Sequence, residues 1–310
     1  MNARAEPPDV NADANREAGS RGFLLGVAAY GLWGVLPIYF KLVAAVPAVD
    51  IVAHRVLWSL PFLALLLAFS AGWRTVRAAL ASPKVLATLV LTAALIGVNW
   101  LLYVYAITSG HILAASFGYY LNPLANVLLG RFVLRERLNR TQWLAIAVAG
   151  AGISVLAAGA LGQLWLSLSL CATFALYGLL RKVVRADALT GLAIETGILF
   201  PLAIGWLAYR EIAGMPAFGT SGAETALLTL SGIVSTTPLL LFTAAARRLA
   251  YSTLGMLQFL APTLQFLIAV LLYGEPFTLA HAIAFAAIWA ALALYVTALL
   301  RQPRLPQAPE

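Results

Sequence analysis

The sequence predicts an all-α membrane protein: ten transmembrane helices arranged as two inverted five-helix repeats. Three observations predict it, namely an apolar composition, a one-sided distribution of cations and a self-similarity between the two halves of the chain. Of 310 residues, 62% are hydrophobic and 10% are charged, against about 25% charged in an average soluble domain. Too few polar residues remain to cover that apolar surface in water. A disordered chain is excluded by the same composition, because disorder goes with few apolar and many charged residues. The single cysteine, Cys171, excludes a disulfide scaffold and a thiolate metal cluster.

A helix needs about 20 mostly apolar residues to cross the hydrocarbon core. Ten stretches have that character: 22–43, 51–71, 85–107, 112–134, 141–158, 162–180, 191–210, 224–246, 252–273 and 278–300. The connections between them are too short to form an extramembrane domain. Residues 1–21 hold Pro, Asn, Asp and Glu without an apolar run, so they read as a flexible cytoplasmic tail and not as a cleavable signal peptide. Residues 301–310 read as a second cytoplasmic tail. Pro37, Pro61, Pro123, Pro201, Pro238 and Pro262 fall inside spans, where each frees a carbonyl and bends its helix. Frequent Gly, Ala and Ser let backbones approach closely. A tight helical bundle follows, not a β-barrel with its ten-residue alternating strands.

Lys and Arg collect in cytoplasmic loops. With the N-terminus inside, seventeen of the twenty cations fall on inside segments, Lys41 and Arg210 fall outside, and Arg55 lies within a span. An odd number of spans would break this alternation. The same count explains the net charge of +8 without a nucleic-acid partner, and the aromatics are not interleaved with basic runs as a single-strand binder requires.

Ser116–Pro123 resembles Gly255–Pro262 at an offset of 139, which also sets Glu136 on Glu275, Ala106 on Ala245 and Asn99 on Pro238. A slightly longer offset sets Arg55 on Glu195. The chain therefore divides into a first five-helix repeat, 22–158, and a second, 162–300. Five is odd, so the second repeat inserts upside down. Inverted repeats are a common plan for carriers, which hold their solute at the repeat interface near the midplane.

Together, several short segments resemble the EamA-type branch of the drug/metabolite transporter superfamily, and within it the RarD-like proteins often labelled chloramphenicol-sensitivity proteins. The segments are Tyr39-Phe-Lys41, His54-Arg-Val-Leu-Trp-Ser59, Asn99-Trp-Leu-Leu-Tyr103 and Ser116-Phe-Gly-Tyr-Tyr-Leu-Asn-Pro123, then Tyr177-Gly178 with Arg181-Lys182, Glu195-Thr196, Thr236-Thr-Pro-Leu239, Ser252-Thr-Leu-Gly255 and Tyr273-Gly-Glu275. The resemblance covers about residues 22–300. It implies an integral, multi-pass carrier of the cell inner membrane and leaves the cargo open.

Ionisable residues inside a span cost roughly 2.5 kcal/mol or more and face a cavity or a partner. His54, Arg55 and Glu195 are such residues. Arg55 reads as an anion or carboxylate contact, and Glu195 as a cation or proton site; the alternative for each is a bond to loop carbonyls that fixes a helix end. Each lies about 7 Å inside its helix start, on opposite sides of the membrane, so they are not expected to pair. His54 carries an imidazole, the side chain best suited to proton coupling.

Tyr119 and Asn126 are seven apart and share a helix face, as do their repeat mates Gln258 and Gln265, with Asn122 between the first pair. Two matching polar stripes read as the lining of a shared cavity, or as interhelical bonds. Asn99, Trp100 and Tyr103 offer an amide and aromatics to a flat or cationic solute, or pack the bundle; Tyr177 has the same ambiguity. Glu136 and Glu275 read as structural, bonding the amides of the next helix's first turn.

The expected function is secondary transport of a small metabolite or drug-like solute, exporting, by alternating access between the repeats. The partners expected are that solute and the lipid bilayer, with protons as a possible coupling ion; oligomeric state is open. No cofactor, metal or nucleic acid is expected. The zinc-pair and nucleophile-elbow motifs of membrane enzymes are missing, as is the phosphate loop of ATP-driven pumps. His54, His111 and His281 are scattered along the chain. An intramembrane enzyme and a structural or sensory membrane protein are the competing classes.

Overall fold

Twelve helices build the protein in a computed structural model, which describes residues 10–43, 45–70, 72–108, 112–157, 164–216, 218–219, 221–272, 274 and 279–300. In order they are α1 (Val10–Leu42), α2 (Ala48–Phe69), α3 (Trp73–Ala81), α4 (Pro83–Thr108), α5 (Ile112–Phe132), α6 (Arg140–Ala157), α7 (Leu164–Val183), α8 (Ala188–Ile212), α9 (Gly222–Ala246), α10 (Tyr251–Leu257), α11 (Leu260–Leu271) and α12 (Leu279–Leu300). No strand occurs among the described residues. His111, Tyr273 and Glu275 lie outside them, and nothing is assigned to their side chains.

Among the described residues, six helices are long and apolar enough to cross a bilayer: Gly19–Leu42, Ala48–Phe69, Pro83–Tyr103, Trp165–Val183, Ala188–Ile212 and Gly222–Ala246. Their outer faces carry bare apolar side chains, with Phe69 83% and Ile212 87% exposed. Apolar surface on that scale needs lipid against it. The protein is a multi-pass membrane protein.

Three features depart from the sequence reading. Helix α1 begins at Val10, upstream of the span expected from residue 22. The connection after α2 is not bare loop but contains α3, whose Arg74 and Arg77 face outward while Ala79 is buried. The stretch 252–273, read as one span, is broken into α10 and α11 at Gln258–Phe259. Pro262 has no N–H to bond the Gln258 carbonyl. Ala261 N donates to that carbonyl instead at 3.3 Å, and Phe259 N donates to Met256 O at 3.3 Å, so the ladder tightens from four-residue to three-residue spacing. The mate proline, Pro123, sits inside the unbroken α5.

Side chains cap several helix starts. Asn139 and Gln142 exchange backbone amides at 2.9 and 2.8 Å before α6, a reciprocal capping box. Asp187 accepts from Thr190 N at 2.9 Å and from its hydroxyl at 2.6 Å before α8. Partial burial opposes ionisation of Asp187, but these hydrogen bonds outweigh it and hold the carboxyl below its usual range.

Helices from the N-terminal part pack mainly against helices from the C-terminal part. Helix α1 meets α9 and α11, α2 meets α8 and α9, α4 meets α7 and α8, α5 meets α7 and α10, and α6 meets α12. The main core is aromatic: Tyr30 and Trp33 of α1, Phe174 and Tyr177 of α7 and Phe242 of α9 have neighbouring ring centroids 5.6–6.5 Å apart. At Gly232 the backbones of α2 and α9 touch. A Cβ there would lie 2.6 Å from Ser59 N, and Thr236 Oγ1 donates to Ser59 Oγ at 2.6 Å across the same contact.

Candidate functional site

The polar and charged candidates fall into three groups within the bundle. The first surrounds Arg55 on α2. Its guanidinium lies over the Trp100 ring of α4, 4.5 Å from the centroid, a cation–π stack. Its Nε is buried without a hydrogen-bond partner. The phenols of Tyr39, Tyr103 and Tyr119 stand within Coulombic reach. His54, next in sequence, is fully buried and meets Phe218 edge-on at 4.9 Å. Among the described residues, neither a loop carbonyl nor Glu195 bonds the Arg55 side chain; an aromatic face lies against it.

The second group follows one face of α5. Tyr119 donates from its hydroxyl to Asn99 Oδ1 at 3.3 Å, and its ring meets Tyr103 at 5.7 Å. Asn99 donates to Leu170 O at 3.0 Å and Thr173 Oγ1 at 2.9 Å, tying α4 to α7. One turn on from Tyr119, Asn122 is fully buried, and neither its side-chain nitrogen nor its oxygen has a partner. Another turn on, Asn126 donates to Gln258 Oε1 at 2.8 Å, leaving its own Oδ1 unpartnered. The two polar stripes thus meet at Asn126 and Gln258, where Gln258 sits at the break between α10 and α11. Gln265 is not brought to this cluster: it is exposed and donates to Trp33 O at 3.0 Å.

The third group is centred on Glu195 of α8, which is 1% exposed. Thr92 of α4 donates to its Oε1 at 2.5 Å, and Tyr177 of α7 to its Oε2 at 3.3 Å. Arg181 Nε lies 3.5 Å from Oε1, with the Arg181 side chain wholly buried. Its Nη2 donates to Asp187 O and Ala188 O, each at 3.2 Å, and Nη1 is buried without a hydrogen-bond partner. Gly191 makes room for it, since a Cβ there would lie 2.6 Å from Nη2. Arg181 and Lys182 are the two inside cations that the sequence reading considers near an inner vestibule, and the structure makes Arg181 the counter-ion of Glu195. A signal was available, because Arg181 follows Tyr177 by four residues and so shares its helix face.

The neighbouring cations cap carbonyls. Lys182 Nζ donates to Ala246 O at 3.0 Å and to Leu249 O, and Arg247 donates to Val184 O at 2.9 Å and Ala186 O at 2.6 Å. At the other end of α8, Arg210 pairs with Asp50 at 2.8 Å, and Trp206 Nε1 donates to the same carboxylate at 2.9 Å. This pair was not anticipated.

Glu136 is structural in its contacts, with a correction to its partner. It accepts from Tyr251 N at 2.6 Å, Ser252 N at 3.0 Å and Ser252 Oγ at 2.6 Å. It therefore caps α10 and not the next helix, α6. Carboxylates suit that position because the helix start exposes unpaired N–H groups. Cys171 is buried packing.

A cavity of about 300 Å³ opens between α2, α3, α4 and α8, against apolar residues that include Leu60, Trp73, Val76, Leu86 and Ile198. None of the three polar groups lines it. Its chemistry is that of the lipid-facing surface, so the polar groups mark the functional site better than the void does.

Comparison with known proteins places the chain. The model of the EamA-like transporter family matches residues 20–158. An uncharacterised transporter of Pseudomonas aeruginosa is 46% identical over 295 residues, spanning 93% of this chain and 97% of that protein. The protein RarD of Escherichia coli is 43% identical over 284 residues, spanning 89% of this chain and 94% of that one. A solved crystal structure shares the fold with a TM-score of 0.70 at 20% identity, covering 91% of this chain and 99% of that chain.

Proposed function

The chain belongs to the EamA-like transporter family, in its RarD-like branch, and from that premise we propose that it is a secondary carrier exporting a small metabolite or drug-like solute across the cell inner membrane. The reading has ten spans in two inverted repeats, 22–158 and 162–300, with both termini cytoplasmic. The solute moves by alternating access as the two sets of helices rock about their interface.

One observation carries the reading. The polar face Tyr119–Asn122–Asn126 of α5 is buried in the bundle and reaches Gln258 of the second half at a helix break. In a membrane bundle, buried unpaired amides face a partner or a pathway. Asn122 offers a free donor and a free acceptor on this face. Discontinuous helices form the solute sites of many inverted-repeat carriers because their ends expose backbone polar groups. Two helix contact patterns support the symmetry: α5 on α7 corresponds to α11 on α1, and α4 on α8 to α9 on α2. We assign the path to Arg55, Asn99, Trp100, Tyr103, Tyr119, Asn122, Asn126 and Gln258. His54, Tyr177 and Gln265 stand beside it, and Glu195 is the candidate proton site.

Purified protein reconstituted into liposomes tests this. Movement of a labelled solute without ATP is the expected result, from a panel of amino acids, nucleosides and aromatic drugs. A folded protein that moves none of them sinks the carrier reading. If an imposed pH gradient leaves transport unchanged, the proton step falls and the carrier stands.

A further inference from the structure

We propose that the guanidinium of Arg55, stacked on Trp100, receives the carboxylate of the transported solute, which makes the cargo a small organic monoanion or amino-acid-like zwitterion. The inference rests on the carrier reading above and specifies its substrate class.

The charges buried in the bundle are otherwise matched. Arg181 faces Glu195, and Arg210 faces Asp50. Glu136 caps the two leading amides of α10, and Lys182 and Arg247 donate to carbonyls. Arg55 differs. Its Nε is buried without a hydrogen-bond partner, as are those of Arg181 and Arg210, but those two have a carboxylate beside them, whereas among the described residues no ion pair involves Arg55 and an aromatic ring lies against it. A cation within a membrane span is retained where it faces a partner or a pathway. The missing partner is therefore an anion that arrives and leaves.

The geometry selects the kind of anion. The Trp100 ring lies against the guanidinium, and a guanidinium carries its N–H donors as a fork in its own plane. That fork matches the two oxygens of a carboxylate. Tyr103 stands close by, and its hydroxyl makes no hydrogen bond among the described residues, so it can donate to the same group. One guanidinium balances one negative charge, which favours a carboxylate over a phosphoryl dianion. The aromatic walls of Trp100, Tyr103 and Tyr119 suit an apolar or planar body behind it.

Binding to detergent-solubilised full-length protein tests the proposal, read as the shift in thermal midpoint across a ligand titration. The probes are matched pairs, benzoate with benzamide and mandelate with mandelamide, together with phenyl phosphate. Each carboxylate should bind about tenfold or more tightly than its amide, because the amide cannot neutralise Arg55. Arg55→Gln should erase that preference, and Arg55→Lys, which keeps the charge without the fork, should retain part of it. The comparison within wild-type protein stands even where a variant fails to fold. Equal binding of acid and amide overturns the proposal, as does a preference that survives Arg55→Gln or tighter binding of phenyl phosphate. Vesicle transport separates the two readings. If the protein moves a neutral solute and binds no carboxylate, the substrate class is wrong; if it moves nothing, the carrier reading fails first.

Discussion

Arg181 and Glu195 approach to 3.5 Å with 0% and 1% of their side chains exposed, which makes them a buried ion pair between α7 and α8. Removing one partner of such a pair leaves an uncompensated charge and costs about 3–5 kcal/mol, whereas removing both is far milder. Glu195→Gln and Arg181→Met should each lower the thermal midpoint in detergent sharply. The double variant should recover most of the loss. Simple addition of the two single effects would show that the residues are not coupled.

Gly191 leaves the space that the Arg181 guanidinium fills. Gly191→Ala puts a methyl into the guanidinium of Arg181. The expected outcome is a loss of stability in wild-type protein that largely disappears in the Arg181→Met, Glu195→Gln background. Scanning fluorimetry on the four proteins checks it. A loss of equal size in both backgrounds would assign the glycine to backbone packing instead.

The bond between Asn126 and Gln258 is the point where the two polar stripes meet. Gln258→Ala leaves Asn126 wholly unpaired in a buried setting, at a cost of about 1–2 kcal/mol. Tyr119→Phe removes only a long bond at 3.3 Å and keeps the ring packed on Tyr103. Transport should therefore fall in both variants, while membrane abundance falls moderately in the first and little in the second. Fluorescence-detected chromatography beside vesicle uptake measures the two quantities. Collapse of abundance in both would make these residues interhelical bonds and nothing more.

Asp187 supplies a pH dependence with a defined sign. Its carboxyl is held below the ordinary value by the bonds from Thr190, against the opposing effect of burial. The cap therefore stabilises the fold above the unfolded carboxylate value, and the contribution is lost as pH falls through the lower folded value. Wild-type protein should lose thermal stability on acidification below about pH 4 more steeply than Asp187→Ala does. At neutral pH the variant should be weaker by about 1 kcal/mol, the usual worth of an N-cap.

Much of the helical layout was legible in the sequence because apolar runs obey strong, local physics. The helices stand near the expected spans, and the acid at 136 was correctly read as a cap. Its partner was not, because the amides it holds come from a helix distant in sequence. The break at Gln258–Phe259 was hidden for a different reason. Pro123 and Pro262 look alike in sequence, yet only the second opens its helix. The pairing of Arg181 with Glu195 was not read, because counting cations by loop ignores which face of the helix they occupy. The stripe was visible; that Asn126 and Gln258 bond one another was not, because it depends on how the halves are brought together.

The cap on α10 also bears on how the chain is made. Glu136 and Tyr251 are separated by 115 positions. A ribosome adds about 5–20 residues per second, so this carboxylate waits roughly 6–23 seconds for the amides it will hold. Throughout that interval the first part of the chain sits in the bilayer with a charged group and the Asn126 amide unsatisfied. Damage to α10 would register as failed assembly of helices already inserted.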